Sequence, residues 1–211
     1  MPAPYRRFSP SRVAAPAWLI AALTAAAAAG GPRDAVGAAS ASPAGTTASV
    51  TLYPVANAYI DQARPAQNFD TASEWPVERD ENGRERLPLW RFDTAGIPAD
   101  AQVTAAELTV NVVSGTGDSP VRIIVERITL GWDPSTVTWN NRPPTQGTWG
   151  AWDTDRDPGP RTFDVRVLVT NWVRGSMPNH GLRLSGPDSG AYERLYRASG
   201  ATRPRLEVSY I

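Results

Sequence analysis

Four arginines lie close together around one apolar run. Arg79, Arg84 and Arg86 precede the run LPLWRF, and Arg91 lies inside it. A guanidinium is planar and always charged, and its fork of N–H donors holds a carboxylate through two parallel hydrogen bonds. Because side chains alternate along a strand, Arg91 faces away from Trp90 if Trp90 faces the core. The four arginines are therefore candidate ligands for a molecule that carries carboxylates.

Acidic residues are mixed with these arginines, which leaves a second interpretation open. Asp80, Glu81 and Glu85 lie between or beside Arg79 and Arg84. Mixed charges at this spacing are also typical of a solvated hairpin with local ion pairs. The sequence alone does not decide between a binding surface and such a hairpin.

Three aspartates alternate along a later segment and resemble part of a calcium loop. Asp153, Asp155 and Asp157 are spaced by one residue, and Asp164 occupies the twelfth place counted from Asp153. The sixth place, however, holds Pro158 where a calcium loop needs glycine, and no bidentate glutamate follows. We therefore expect no cofactor and keep calcium, held by these three aspartates, as the alternative.

The residues that commonly carry catalysis are scarce. Cysteine is absent, which excludes thiol catalysis, disulfides and thiolate metal sites. His180 is the only histidine, and its place between Asn179 and Gly181 indicates a turn or a strand edge. No exposed nucleophile motif accompanies it. Acidic pairs leave a two-carboxylate glycosidase open, but our expectation is that the protein is not an enzyme.

Short strands are predicted from residue 50 onward. Segments such as TAAELTVNVV and RLEVSY alternate apolar and polar residues, and Gly, Pro, Asn and Asp separate them. Alternation with one apolar face predicts antiparallel sheets. We expect an all-β fold, a two-sheet antiparallel sandwich of jelly-roll type. The segment DVRVLVTNWVRG has helical spacing and ends at Gly175, which predicts one short helix across an end of the sandwich.

Tryptophan is concentrated around two turns. In GWDPSTVTWNNRPP the spacing predicts a short strand, STVTW, with both Trp132 and Trp139 in the core. Trp90 and Trp172 belong to alternating or amphipathic stretches and are predicted to be buried as well.

Five motifs occur in one order: RERLPLWRFDTAGIP, AELTV, WDPSTVTWNNRP, FDVRVLVTNWVRGSMPNHGLRL and PRLEVSY. In this order they resemble the DNRLRE-type domain, also classed as carbohydrate-binding module family 96. The resemblance covers residues 50–211, which we assign to one domain. It implies a secreted β-sandwich that binds polysaccharide, with uronate polymers such as alginate as the ligand class of some members. The chain departs from the family pattern at several places, among them Asn57, where Asp is common, and His180, where Tyr is.

This resemblance gives the candidate residues a role. Sugar rings stack on flat apolar faces, and the aromatics expected in or beside loops are Trp75, Trp149 and Trp152. For an acidic polysaccharide the matching groups are the arginines named above. The alternative is a structural or adhesive extracellular protein that binds no glycan.

The first residues have the layout of a secretory signal peptide. Arg6, Arg7 and Arg12 form a basic start, an alanine-rich apolar run follows at residues 13–29, and small residues come next. We assign residues 1–38 to the signal peptide and residues 39–49 to a flexible linker. An uncleaved membrane anchor is the alternative, although the apolar run is short for a span.

The expected location and partners follow from charge and export. Residues 1–38 contain four of the 21 arginines and one of the 21 acidic residues, so the remainder has a net charge of about −3. A nucleic-acid binder usually has a basic surplus, so nucleic acid is not an expected partner. We expect an extracellular monomer that does not stay inserted in a membrane after the signal peptide is cleaved.

The mature chain is predicted to begin between residues 29 and 47, because cleavage follows the small residues after the apolar run. Mass analysis or N-terminal sequencing of the protein from culture supernatant checks this. An intact leader recovered in the membrane fraction would contradict it.

Overall fold

A computed structural model describes residues 45–211, which contain eleven strands and one helix. The predicted signal peptide and most of the predicted linker lie outside the described residues. The strands are β1 (Ala48–Leu52), β2 (Pro54–Asp61), β3 (Glu74–Arg79), β4 (Glu85–Phe92), β5 (Val103–Gly117), β6 (Val121–Ile128), β7 (Thr145–Thr154), β8 (Gly159–Asp164), β9 (Leu182–Ser185), β10 (Tyr192–Arg197) and β11 (Arg205–Tyr210). The helix, α1 (Arg166–Val173), lies between β8 and β9.

The strands form one curled antiparallel sheet. Their order is β1-β11-β5-β10-β3-β4-β9-β6-β7, with β2 paired to β4 and β8 paired to β5. This confirms the all-β class with a single short helix in the described part of the chain. The hydrogen-bonded ladder does not confirm a division into two separate sheets, because it connects all the strands.

Strand β5 organises one side of the molecule. It is fifteen residues long, and β8 pairs along one edge. On the other edge β11 and β10 lie end to end, β11 beside residues 103–109 and β10 beside residues 112–117. The connection between β10 and β11 therefore leaves the sheet edge and returns to it. Asn111 anchors that connection, since its Nδ2 donates to the Thr202 carbonyl at 2.8 Å.

The core combines aromatic rings of the sheet with one face of α1. Trp75 and Trp90 pack with ring centroids 5.8 Å apart, and Trp90 and Trp172 are buried as predicted. The helix buries Leu168, Val169, Trp172 and Val173. Gly175, just past its end, has φ +69°, a left-handed conformation that glycine adopts without steric cost. Within residues 45–211 no helix is long and apolar enough to cross a membrane.

Two sequence predictions around the tryptophans were wrong. The segment STVTW forms a turn, because the Asp133 carboxylate accepts hydrogen bonds from Ser135 and the Asp133 carbonyl accepts one from Val137. Such local bonds compete with a strand ladder. Trp132 and Trp139 are accordingly only half-buried, although both pack against the core.

The segment GTWGAWDT, expected to be a loop, is most of β7. It pairs with β6 along its whole length, with irregular register near Glu126. Its glycines and polar residues do not indicate a strand by themselves. The segment becomes a strand because it pairs with β6, since strand propensity depends on context.

A buried guanidinium on β10 joins that strand to the ends of two others. Arg194 of β10 is fully buried, and burial lowers its pKa from the ordinary value. Each of the five N–H donors of an arginine has an acceptor here. Nε donates to Thr154 Oγ1, Nη1 to the carbonyls of Thr116 and Glu193, and Nη2 to those of Asp118 and Thr154, at 2.8–3.2 Å. The guanidinium thus ties β10 to the ends of β5 and β7, and it has no carboxylate partner among residues 45–211.

Replacing Arg194 by Ala is predicted to lower the free energy of unfolding by at least about 3 kcal/mol, because several buried carbonyls lose their donor. Arg194→Lys should lose most of the same stability, since an ammonium cannot reproduce the fork. Urea denaturation measures both changes.

Arg197 on the same strand is the matched control. It is exposed and pairs with Glu74 at 3.4 Å, so Arg197→Ala should cost about 0–1 kcal/mol. An Arg194→Ala variant as stable as Arg197→Ala would show that the buried network does not stabilise the fold.

Candidate functional site

The structure separates the four predicted arginines. Arg79, Arg84 and Arg86 surround the β3–β4 hairpin, and Arg91 lies near the other end of β4. Each hairpin arginine already has an acidic partner. The ion pairs with ordinary distances are Arg84–Asp80 at 2.8 Å, Arg86–Glu193 at 2.8 Å and Arg79–Glu85 at 4.0 Å. Arg86 also pairs with Glu78.

The hairpin end of the molecule carries more carboxylates than guanidiniums. The shallow grooves there are lined by four arginines and six acidic residues: Arg64, Arg79, Arg84, Arg86, Asp61, Glu78, Asp80, Glu81, Glu85 and Glu193. Burial raises the pKa of Glu85 and of Glu193. The local ion pairs that the sequence left open are present, and a polyanion would have to compete with them.

The predicted aromatic residues also differ in exposure. Trp75 is 2 % exposed, so it was wrongly predicted to be a stacking surface. Its strand lies inside the sheet between β10 and β4, and its ring packs on Trp90. Trp149 is half-buried, with Nε1 donating to the Gln146 carbonyl at 2.9 Å. Trp152 is 48 % exposed on β7 and is available to a ligand.

Two of the three aspartates of the calcium alternative pair with arginines. Asp153 pairs with Arg122 at 3.1 Å, and Asp155 pairs with Arg161. The backbone N–H of Asp157 donates to the Asp155 carboxylate. No group of three or more His, Cys, Asp or Glu side chains in residues 45–211 is placed to hold a metal ion. The structure does not assemble the alternating aspartates into a cation site.

A groove that sequence reasoning missed combines an exposed aromatic ring with an arginine. The Arg203 guanidinium lies 3.8 Å from the centroid of the Tyr53 ring. In residues 45–211 only Tyr53, 42 % exposed, and Trp152 present exposed aromatic rings. Arg203 has no carboxylate within 4.0 Å in this part of the chain. The surrounding groove, which we call the Tyr53 groove, has a volume of about 550 Å³.

Polar groups complete the lining of the Tyr53 groove. Besides the ring and the guanidinium, the polar lining of the groove consists of Asn57, Asp70, Thr71, Ser73 and Ser199, and the buried Trp75 contributes to its apolar lining. These polar side chains supply hydroxyls, an amide and one carboxylate, all of which are able to hydrogen-bond to hydroxyl groups. A stacked guanidinium keeps the N–H groups at its edge free for a carboxylate. The arrangement fits a ligand that is rich in hydroxyls and carries acid groups.

The topology explains how distant residues meet in this groove. Tyr53 follows β1, whose last residue, Leu52, pairs with Leu206 of β11. Arg203 lies two residues before β11, on the connection that leaves the edge of β5. The glycine and proline of RASGATRPR predict the loop that carries Arg203. Nothing in that segment predicts that the loop contacts Tyr53. That contact arises only from the pairing of β1 with β11.

A second groove lies around Arg91. This Arg91 groove has a volume of about 650 Å³, and its lining includes Val55, Phe92, Trp172 and Asn179. Like Arg203, Arg91 has no carboxylate within 4.0 Å among residues 45–211. Of the four predicted arginines, it is the one without an acidic partner at that distance.

The fold and these grooves define a β-rich binding module with shallow surface grooves and no assembled metal centre in residues 45–211. The chain belongs to carbohydrate-binding module family 96, whose model matches residues 48–210. The match begins at the first residue of β1, two residues before the domain start expected from the sequence. A search of the curated proteins found no significant match.

Quenching of tryptophan fluorescence checks the placement of the aromatic residues. Because Trp152 is exposed and Trp75 is buried, Trp152→Phe should remove much of the fluorescence that acrylamide quenches readily. The matched variant Trp75→Phe should leave that fraction in place. The opposite outcome would place Trp75 at the surface.

Proposed function

We propose that the protein is a secreted, non-catalytic module that binds an acidic, uronate-type polysaccharide in the Tyr53 groove. One observation carries the proposal: Arg203 stacks on the exposed ring of Tyr53 and has no acidic partner within 4.0 Å in residues 45–211. Membership of a carbohydrate-binding family supports the ligand class. The basic start and apolar run of the first residues support export.

The acidic character of the ligand rests on a local charge. Apart from its signal peptide the chain has a net charge of about −3, so the protein as a whole does not attract polyanions. Attraction has to come from guanidiniums that are not neutralised nearby. Arg203 and Arg91 meet that condition, whereas Arg79, Arg84 and Arg86 face carboxylates. We therefore propose that Arg203, which lines the Tyr53 groove, binds the polysaccharide there.

We also propose that the curled sheet folds over into two packed layers, which makes it a jelly-roll-like sandwich. Strand β4 supports this, since one of its edges pairs with β3 at residues 85–86 and with β9 at residues 89–90. The two neighbouring strands diverge from that point, which would separate the layers.

Binding should depend on the fork of Arg203. Arg203→Ala is predicted to weaken binding to alginate by about ten- to a hundredfold, because one charge-assisted hydrogen-bonded contact contributes about 1.5–3 kcal/mol. Arg203→Lys should weaken it nearly as much, since lysine keeps the charge but loses the fork. Affinity electrophoresis or calorimetry at low and high salt measures this, and binding should fall as salt rises.

Arg142→Ala is the matched control, because Arg142 stacks on Trp139 at 4.2 Å outside the groove. It should bind like the wild type, and a neutral glucan should bind weakly to all variants. Incubation with each polysaccharide should release no reducing ends or unsaturated products. Failure to bind any polysaccharide would favour the structural or adhesive alternative, and alginate binding unaffected by Arg203 would exclude this groove.

A further inference from the structure

The Tyr53 groove and the Arg91 groove meet at three consecutive residues. Tyr53 and Pro54 line the first groove, and Val55 lines the second. Pro54 also pairs across the sheet with Phe92, which lines the Arg91 groove. Residues 53–55 thus connect the linings of the two grooves, and we call them the 53–55 ridge.

An irregularity in the sheet exposes this ridge. In the pairing of β2 with β4, Pro54 lies opposite Phe92 and Ala56 lies opposite Arg91, so Val55 has no partner in the register. An unpaired residue of this kind is a β-bulge, a feature that re-aims side chains at sheet edges. Val55 is 61 % exposed, although valine is usually buried. An exposed apolar side chain beside an exposed tyrosine ring suits the apolar face of a sugar chain.

The Arg91 groove offers a guanidinium to an acidic sugar residue, and the amide of Asn179 fixes the wall beside it. Asn179 is held in place, with Nδ2 donating to the Phe92 carbonyl at 2.8 Å and to Thr94 Oγ1 at 3.3 Å. Arg91 lines the same groove without a carboxylate within 4.0 Å in the described residues. Hydrogen bonds from Ser135, with a smaller effect of Arg91, hold the pKa of Asp133 below its ordinary value. That carboxylate is therefore charged at neutral pH, but it lies too far from Arg91 to form an ion pair with it.

We propose that the two grooves form one binding track for a single acidic glycan chain that crosses the 53–55 ridge. Arg203 takes a carboxylate on one side of the ridge, and Arg91 takes another further along the same chain. This inference rests on the proposed function and extends it, because it assigns a second subsite and an internal stretch of polymer as the ligand.

The track has a consequence for chain length. A disaccharide fills the Tyr53 groove alone, whereas a longer oligomer reaches both arginines. Once one end is bound, the second contact is intramolecular and adds affinity at a high effective concentration. Affinity should therefore rise with oligomer length until the chain spans both grooves, and then level off.

Calorimetric titration of the whole protein with uronate oligomers of increasing length tests the track. Arg91→Ala should weaken binding of long oligomers about tenfold, as expected for one charge-assisted contact, and leave the disaccharide unchanged. Arg203→Ala should weaken binding at every length. Arg166→Ala, an exposed arginine on α1 that lines neither groove, should change nothing.

A second variant tests the track even if Arg91→Ala proves too unstable to use. Val55→Asp places a negative charge on the exposed ridge, so it should weaken the binding of long oligomers and leave the binding of the disaccharide unchanged. No binding by the wild type at any length would overturn the proposed function itself. Wild-type binding that does not change with length, or long-oligomer affinity unaffected by both Arg91→Ala and Val55→Asp, would overturn the track while the proposed function stands.

Discussion

The edge of β5 is the constraint on which the proposed binding surface depends. A strand of fifteen residues can hold two shorter strands end to end, and here β10 and β11 share its edge. Their connection must leave the sheet, and Asn111 fixes where it runs. Because β1 then pairs with β11, Tyr53 emerges beside the loop that carries Arg203. The buried Arg194 fastens the far end of the same strand, where β5 passes into the turn toward β6.

The chain contains 21 arginines and no lysine, and its arginines serve several different roles. Arg194 hydrogen-bonds to carbonyls and a hydroxyl inside the fold, and Arg86 is neutralised in the hairpin by two glutamates. Ion pairs near the surface, such as those of Arg86, add little stability. They do, however, neutralise positive charge that would otherwise be open to a ligand. Arg91 and Arg203 keep their charge available. The surroundings of each guanidinium, more than the number of arginines, decide where an anionic chain can bind.

The sequence predicted the parts of the fold that local periodicity controls. Alternating strands, the helix with its apolar stripe and terminal Gly175, and the burial of Trp90 and Trp172 were all predicted and are present. Features set by pairing partners were missed. The turn at Asp133 replaced a predicted strand, and neighbouring strands buried Trp75. The Tyr53 groove could not be predicted, because it joins residues from opposite ends of the domain whose types alone signal nothing unusual.

The most direct test of this account is a crystal structure of the protein with a bound uronate oligomer. We predict sugar density in the Tyr53 groove, with a carboxylate of the ligand on the fork of Arg203 and the chain continuing over the 53–55 ridge toward Arg91. Density centred on the β3–β4 hairpin or on Trp152, with the Tyr53 groove empty, would contradict the account.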